Sequence, residues 1–180
     1  NFLPQIINGS ATGTRTDSSL VNLAKRFAAR GYVAVSMSYR GGWNPLATTV
    51  EDRRAQLLNA VYRAIHDTKQ CVRFLKADAA TTNTYAINPN RIVLYGEGSG
   101  GYVSLAYATM DKFSELSLPK FTWATGPAAG QSYIDTNTVG NLDGLGGILN
   151  LYQDNGFDSD IAFTSNAGGA LADTSWLEAG

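Results

Sequence analysis

The chain has 180 residues, of which 44% are apolar and 16% charged, and its formal net charge is −1. This composition is typical of a globular protein with one sizeable core, and it provides no basic face for nucleic acid. No apolar run is long enough to span a membrane. The single cysteine, Cys71, excludes an internal disulfide and a cysteine-based zinc site. Low charge with many Asn, Thr, Ser, Gly and Tyr residues favours a secreted or extracellular protein.

The first half of the chain predicts a helix, a strand and a long helix. Thr16 or Asp17 caps a helix over 18–30, in which apolar residues recur at helical spacing. The β-branched run "YVAVSMSYR", 32–40, predicts a buried strand. A long helix is predicted from about Val50 to Ala80. Its inward face is formed by Leu58, Val61, Ile65, Thr68, Val72 and Leu75.

The second half continues the alternation of strands and helices. "RIVLY", 91–95, is a predicted strand, and "GYVSLAYATM" beyond the glycine-rich turn is a predicted helix. "FTWAT", 121–125, predicts a further strand, and "IAFTS", 161–165, predicts a return to the sheet. The alternation predicts an α/β fold, a three-layer α/β/α sandwich on a mainly parallel sheet. Functional residues are expected at the carboxyl ends of its strands.

The domain is expected to be incomplete at both ends. The chain begins in the apolar sequence "NFLPQII" and stops in "DTSWLEAG", so we interpret 1–180 as one domain cut from a larger parent chain. The remainder of that parent is an expected partner. Residues 126–160 are dense in Gly, Asn and Asp, which predicts a long excursion or a lid over the sheet.

Within that excursion, oxygen-bearing side chains alternate as in a calcium-binding loop. The EF-hand template fails at two positions, Val139 and Gly146. We therefore predict a solvated turn with no metal. The residues concerned are Asp135, Asn137, Asn141 and Asp143.

The turn "YGEGSGG" permits a cofactor interpretation, because Gly96, Gly98 and Gly101 spell G-x-G-x-x-G. A dinucleotide site also requires an acidic residue at the end of the next strand. The predicted next strand ends at Thr125 and is followed by Gly126, with no acid there. We expect no cofactor, and a dinucleotide-binding domain remains a distant alternative.

A run of ordered features points to a different family. "RGYVAVSMSYR", the helix ending "AIHDTKQCVRFLKADAA" and "YAINPNRIVLYGEGSGGYVSLAYA" together resemble the α/β-hydrolase superfamily, in particular its carboxylesterase and lipase branches. The resemblance covers about residues 20–110. It implies a parallel sheet with a nucleophile elbow directly after the strand that ends near Tyr95, and a small-molecule or acyl ligand bound beside that elbow.

The resemblance places Gly98 where the family has its nucleophilic serine. The elbow requires small residues two positions before and after its apex. Gly96 and Gly100 satisfy that requirement around Gly98, whereas Glu97 and Gly101 would flank Ser99. Ser99 then falls where the family uses a backbone N–H in the oxyanion hole.

Glu97, Gly100 and Gly101 complete the predicted binding turn. The resemblance also implies that Asn1 and Phe2 are the last residues of the loop that forms the other side of the oxyanion hole. The sequence does not distinguish a natural glycine at position 98 from one introduced by mutation.

The catalytic base is missing from the sequence. In this fold the acid and the histidine follow the nucleophile, but the one histidine of the chain, His66, precedes Ser99 and lies on the long helix. We interpret His66 as an exposed or half-exposed helical side chain. The leading hypothesis is a degenerate hydrolase domain that binds or scaffolds. The alternative is a serine carboxylic-ester hydrolase that uses Ser99, with its Asp and His beyond Gly180.

Overall fold

The helices of the protein agree closely with the sequence pattern. The structure, a computed structural model, describes residues 14–149 and 151–177. Helix α1 is Ser18–Ala28, with Asp17 at its N-cap position but without a side-chain capping hydrogen bond, and helix α2 is Val50–Ala80, capped by Thr49. The hydroxyl of Thr49 accepts a hydrogen bond from the Asp52 amide, which satisfies a donor that the helix itself leaves unpaired.

A two-stranded parallel sheet stands beside the third helix. Strand β1 is Val93–Glu97, helix α3 is Ser99–Thr109, a short helix α4 is Thr136–Val139, and strand β2 is Phe163–Ala167. β1 and β2 pair in parallel, with Val93 opposite Phe163 and Glu97 opposite Ala167. The chain leaves β1, passes through α3 and the long segment that contains α4, and returns in β2.

Both strands lie two residues later than the sequence pattern indicates. A 3-10 turn, Pro89–Arg91, occupies the start of the predicted strand, because Pro89 and the Asn88 side chain begin a turn there. β1 therefore starts at Val93 and reaches Glu97. The predicted return of the chain to the sheet in "IAFTS" is confirmed as β2.

The predicted strand over 32–40 is wrong. No described residue forms a ladder with it, and Tyr32, Val33 and Val35 are 61%, 49% and 53% exposed. A β-branched run becomes a strand only when a neighbouring chain segment supplies partners for its N–H and C=O groups. The sequence pattern indicates a propensity of the segment to form a strand, but no described residue pairs with its backbone.

The predicted strand over 121–125 is also wrong. Thr122 and Trp123 form isolated bridges with Ser132 and Ala129 instead of joining the sheet. Gly126, at φ +84°, turns the chain back at once, so the segment pairs with its own continuation. With one sheet of two strands between residues 14 and 177, a parallel α/β arrangement is observed, but no three-layer sandwich is established.

The core lies along α2. Its predicted inward face is buried at Leu58, Val61, Ile65, Thr68 and Val72, while Leu75 is half-buried. This helix packs against α3. The largest fully buried side chains of the described residues are Trp176, Tyr62, Ile65, Leu116, His66 and Val72. α2 is therefore the framework of the core, and this packing fixes the backbone positions along its other faces.

The Gly/Asn-rich segment 126–160 packs against α2. The Tyr62 hydroxyl donates to the Gly140 carbonyl at 3.0 Å, and Arg73 donates to the Asp143 carbonyl at 2.7 Å. These contacts anchor the segment to the helix, and the lid over the sheet stays a prediction. No described helix combines the length and apolar character that crossing a membrane requires.

Candidate functional site at the strand-to-helix turn

The turn between β1 and α3 bends at Gly98. Its backbone adopts φ +55° and ψ −118°, a conformation that residues with a side chain rarely occupy. The Gly98 amide donates to the Ala167 carbonyl at 3.0 Å, and the Gly98 carbonyl accepts from the Gly101 amide at 2.9 Å. The turn is therefore held by the end of β2 on one side and by the first turn of α3 on the other.

Backbone crowding fixes two of the neighbouring glycines. A Cβ at Gly96 would stand 2.0 Å from the Gly100 carbonyl oxygen, and a Cβ at Gly101 would stand 2.7 Å from the Gly169 amide nitrogen. A Cβ at Gly100 or at Gly98 would meet nothing within 4 Å. Gly96 and Gly100 are the two positions that flank the bend. Only Gly96 has to lack a side chain for steric reasons, because there the strand approaches the backbone of the helix. The Gly98 position itself is open.

Ser99 is the first residue of α3 and its hydroxyl is engaged by an aromatic side chain. The Tyr39 hydroxyl and Ser99 Oγ lie 2.8 Å apart, across a half-buried contact. Burial raises the pKa of Tyr39, and its hydrogen bond with Ser99 lowers that pKa in part. Tyr39 therefore stays a neutral hydroxyl near neutral pH, and Ser99 is paired with a phenol in this structure, with no imidazole bonded to it.

The interpretation of His66 as an exposed side chain is wrong. His66 is 1% exposed, and its ring packs on Tyr62 with the two centroids 4.3 Å apart. A Cβ at Gly144 would lie 3.3 Å from the Cα of His66, so the Gly-rich segment closes directly over this histidine. Burial lowers the pKa of His66 to about 4, and the positive charge of Arg40 adds to that effect. Helical periodicity did not reveal the burial, because the covering loop comes from a distant part of the chain.

An ion pair stands next to Tyr39. The backbone amide of Arg40 and its Nε donate to the Asp67 carboxylate at 2.7 and 3.0 Å, and Arg40 Nη2 donates to the Tyr152 hydroxyl at 2.9 Å. Burial raises the pKa of Asp67, and Arg40 opposes that rise. These three residues and Tyr39 line an open groove of about 440 Å³. The pair holds the end of 32–40 against α2 and thereby positions Tyr39.

The remaining predicted site residues lie apart from this chemistry or outside the structure. Glu97 is exposed at the end of β1. Asn1 and Phe2 lie outside the described residues. In the Gly/Asn-rich segment, Asp135 accepts from the Asn137 amide, and Asn141 accepts from the Asp143 amide, so these oxygens close local turns. Among residues 14–149 and 151–177, no group of three His, Cys, Asp or Glu side chains is placed to hold a metal ion.

Sequence reasoning missed Tyr39 and the Arg40–Asp67 pair. The dipeptide Tyr39-Arg40 closes the β-branched run, and Asp67 lies beside His66 on α2, but these two segments are far apart in the sequence. Polar residues at the end of a predicted strand are a signal that could have been followed. The partner on α2 becomes visible only once the two segments are in contact.

Comparison with known proteins identifies the family. The family model BD-FAE matches residues 6–155, which is most of the chain. No curated protein and no solved structure matches the chain. BD-FAE is an esterase family of the α/β-hydrolase type, so the match implies an α/β-hydrolase-like fold and agrees with the resemblance described for residues 20–110. The chain belongs to the BD-FAE family.

Proposed function

We propose that this chain is a catalytically degenerate member of its esterase family that binds a small ligand at the elbow and does not hydrolyse it. The observation that carries the proposal is Gly98, which occupies the bend between β1 and α3 at φ +55° and carries no nucleophile. In α/β-hydrolases the nucleophile stands on this kind of strained strand-to-helix turn.

The second support is the state of the hydroxyl next to the bend. Ser99 Oγ is hydrogen-bonded to Tyr39, and a serine needs a positioned base to become nucleophilic near neutral pH. His66 is enclosed between α2 and the Gly-rich segment and has a pKa lowered to about 4. Neither Tyr39 nor His66 therefore acts as a base for the Ser99 hydroxyl.

The turn retains the features of a binding site. Space is open around Gly98, where a Cβ would meet nothing within 4 Å. The Ser99 amide is the first of α3, so the helix itself offers it no acceptor, and the helix dipole favours negative charge there. A carbonyl or carboxylate oxygen is the group that such a site accepts, and a small acyl compound is the corresponding ligand.

The rival function is a serine carboxylic-ester hydrolase with Ser99 as nucleophile. The family match favours it, because BD-FAE is an esterase family. It requires an acid and a histidine outside this sequence, since His66 is the one histidine of the chain.

Hydrolysis of short p-nitrophenyl esters by the full-length protein tests the two functions. We compare the wild type with Ser99→Ala and with Ser104→Ala, a matched control whose hydroxyl is buried and donates to the Gly101 carbonyl. We expect no turnover above background from any of the three. Turnover that Ser99→Ala abolishes and Ser104→Ala retains would refute the degenerate assignment.

Labelling with a fluorophosphonate probe is a second test that distinguishes the two functions. The probe reacts with an activated serine hydroxyl, and we expect Ser99 to remain unlabelled because its hydroxyl is bonded to Tyr39.

The degenerate domain is further proposed to act outside the cell, a location that its low content of charged residues, 16%, favours. Fractionation of the source cells tests that location.

A further inference from the structure

A second cavity lies on the N-terminal half of α2 and shares no residue with the elbow turn. Its volume is about 250 Å³, somewhat below the ~300–1,000 Å³ of pockets that take drug-sized ligands. Ala55 is a buried part of its wall, and Trp123 contributes an aromatic ring. The lining residues are Gly42, Asp52, Ala55, Gln56, Asn59, Arg63 and Trp123.

Four polar side chains follow one another along the helix face that lines this cavity. Asp52, Gln56, Asn59 and Arg63 are separated by four, three and four positions, the spacing that keeps side chains on one face of a helix. The face therefore carries a carboxylate, two amides and a guanidinium in that order. These four side chains form a polar strip on one wall of the cavity, with opposite charges at its two ends.

Backbone partners fix the orientation of the two amides. Gln56 Oε1 accepts from the Asn44 amide at 3.0 Å, and no described residue accepts a hydrogen bond from the Gln56 NH₂ group, which therefore serves as the donor. Asn59 Nδ2 donates to the carbonyls of Ala55 and Tyr133 at 3.0 and 2.9 Å, and Asn59 Oδ1 has no donor among the residues that the structure describes. A donor thus lies nearer Asp52 and an acceptor nearer Arg63.

The two charged residues also keep hydrogen-bonding capacity. The Thr49 hydroxyl donates to Asp52 Oδ2, and Oδ1 remains for another donor. Arg63 Nη2 donates to the Gly41 carbonyl at 2.7 Å, and the described residues offer its Nη1 and Nε no acceptor. Helical side chains lean toward the N-terminus of their helix, so the long Arg63 side chain is expected to lean toward Asp52, whereas Asp52 leans away from Arg63, toward Thr49.

We propose that this cavity binds a short peptide with two free ends, its ammonium group at Asp52 and its carboxylate at Arg63. From its amino end a dipeptide presents an ammonium, a carbonyl, an amide N–H and a carboxylate. The helix face presents an acceptor, a donor, an acceptor and a donor in the same order. An extended dipeptide spans about 7 Å, a hydrogen bond at each end adds about 3 Å, and the reach of the Arg63 side chain covers the rest of the ~16 Å between positions 52 and 63 on the helix axis.

The order of the groups sets the direction of the ligand. A peptide placed the other way round would bring its ammonium to Arg63 and its carboxylate to Asp52. A simple carboxylate would leave Asp52 and Asn59 Oδ1 without donors, and unpaired polar groups oppose binding. Trp123 supplies apolar surface against which a ligand side chain can pack.

Calorimetric titration of the full chain with alanyl-alanine tests the proposal. N-acetylation removes the ammonium, and C-terminal amidation removes the carboxylate. We expect each change to weaken binding about tenfold or more, because each removes a charge-assisted hydrogen bond. Glucose, which is neutral and offers donors and acceptors in any order, is the comparison ligand.

Two variants locate the binding in this cavity. Gln56→Glu keeps an acceptor for the Asn44 amide, so the fold is retained, but it replaces the free donor and repels the peptide carbonyl. Arg63→Gln removes the partner of the carboxylate. We expect both to weaken alanyl-alanine about tenfold or more. Arg54→Gln is the matched control, because Arg54 is exposed on the same helix and does not line the cavity.

The outcomes decide the proposal either way. Binding of alanyl-alanine that both end modifications weaken, and that Gln56→Glu and Arg63→Gln weaken while Arg54→Gln does not, supports it. Absence of binding, equal binding of the blocked dipeptides, or a preference for glucose overturns it. Ester hydrolysis at the elbow would leave all of these results unchanged, so failure here is distinguishable from failure of the proposed function.

Discussion

The elbow and the N-terminal half of α2 hold their binding groups by different means. At the elbow, Gly96 and Gly98 are defined by backbone contact and by a backbone conformation, and the side chains there are single hydrogens. On α2, Gln56 and Asn59 are defined by side-chain hydrogen bonds to neighbouring backbone groups. We infer that the elbow is sensitive to an added side chain at Gly96 and to backbone conformation at Gly98, while α2 is sensitive to the chemical identity of its side chains.

Gly96→Ala gives the largest expected effect. Its Cβ would stand 2.0 Å from the Gly100 carbonyl oxygen, and the backbone on both sides is held by β2 and α3. We expect a loss of about 3 kcal/mol or more in the free energy of unfolding, measured by urea denaturation. Gly100→Ala is the control, because its Cβ meets nothing within 4 Å and alanine favours a helix by up to about 1 kcal/mol. Equal stability of the two variants would show that backbone crowding does not define the elbow.

The pH dependence of stability tests whether α2 is sensitive to the chemical state of one of its side chains, His66. The pKa of His66 is about 6.5 in the unfolded chain, whereas burial lowers that pKa to about 4 in the folded state. The folded pKa is the lower one, so this contribution to stability is complete above pH 6.5 and is lost as the pH falls toward 4. The loss is at most about 3 kcal/mol.

Urea denaturation of the wild type and of His66→Leu at several pH values isolates that contribution. The variant lacks the titrating imidazole, so the difference in stability between the two proteins should change between pH 6.5 and 4. A difference that is constant over this window would mean that His66 is accessible to protons in the folded state.

Gly98→Ala separates strain from crowding at the elbow. The open space leaves the new methyl group without a clash, but φ +55° with ψ −118° is unfavourable for alanine. We expect a cost of about 2 kcal/mol, smaller than that of Gly96→Ala. A cost equal to that of Gly96→Ala would indicate an unseen contact at the apex, and no cost would indicate that the turn relaxes to another conformation.

Tyr39→Phe gives the smallest expected effect. It removes the hydrogen bond to Ser99 Oγ and keeps the ring, which costs about 1 kcal/mol. If the Tyr39 hydroxyl is what keeps Ser99 unreactive, this variant is also the one in which fluorophosphonate labelling of Ser99 would first be seen. Ser36→Ala, which removes an exposed bond to the Arg15 carbonyl, is the control for loss of a hydroxyl in the same segment.

The helices were predictable because their signals are local. The bounds predicted for α2, about Val50 to Ala80, follow from the recurrence of apolar residues along the segment and agree with the observed helix. The bend at Gly98 also follows locally, since a strand, a cluster of glycines and a helix occur within a few residues. The strand propensity of 32–40 is local as well, but strand formation is not, because a strand needs a partner from elsewhere in the chain.

What the sequence by itself determined is the three longer helices, the two paired strands to within two residues, and the bend at Gly98. The burial of His66, the pairing of Tyr39 with Ser99 and the cavity between α2 and Trp123 were decided by tertiary structure alone. The physical reason is that each of these features joins segments distant in the sequence. Periodicity describes one face of one element, whereas contact between elements determines which polar groups are paired and which remain free.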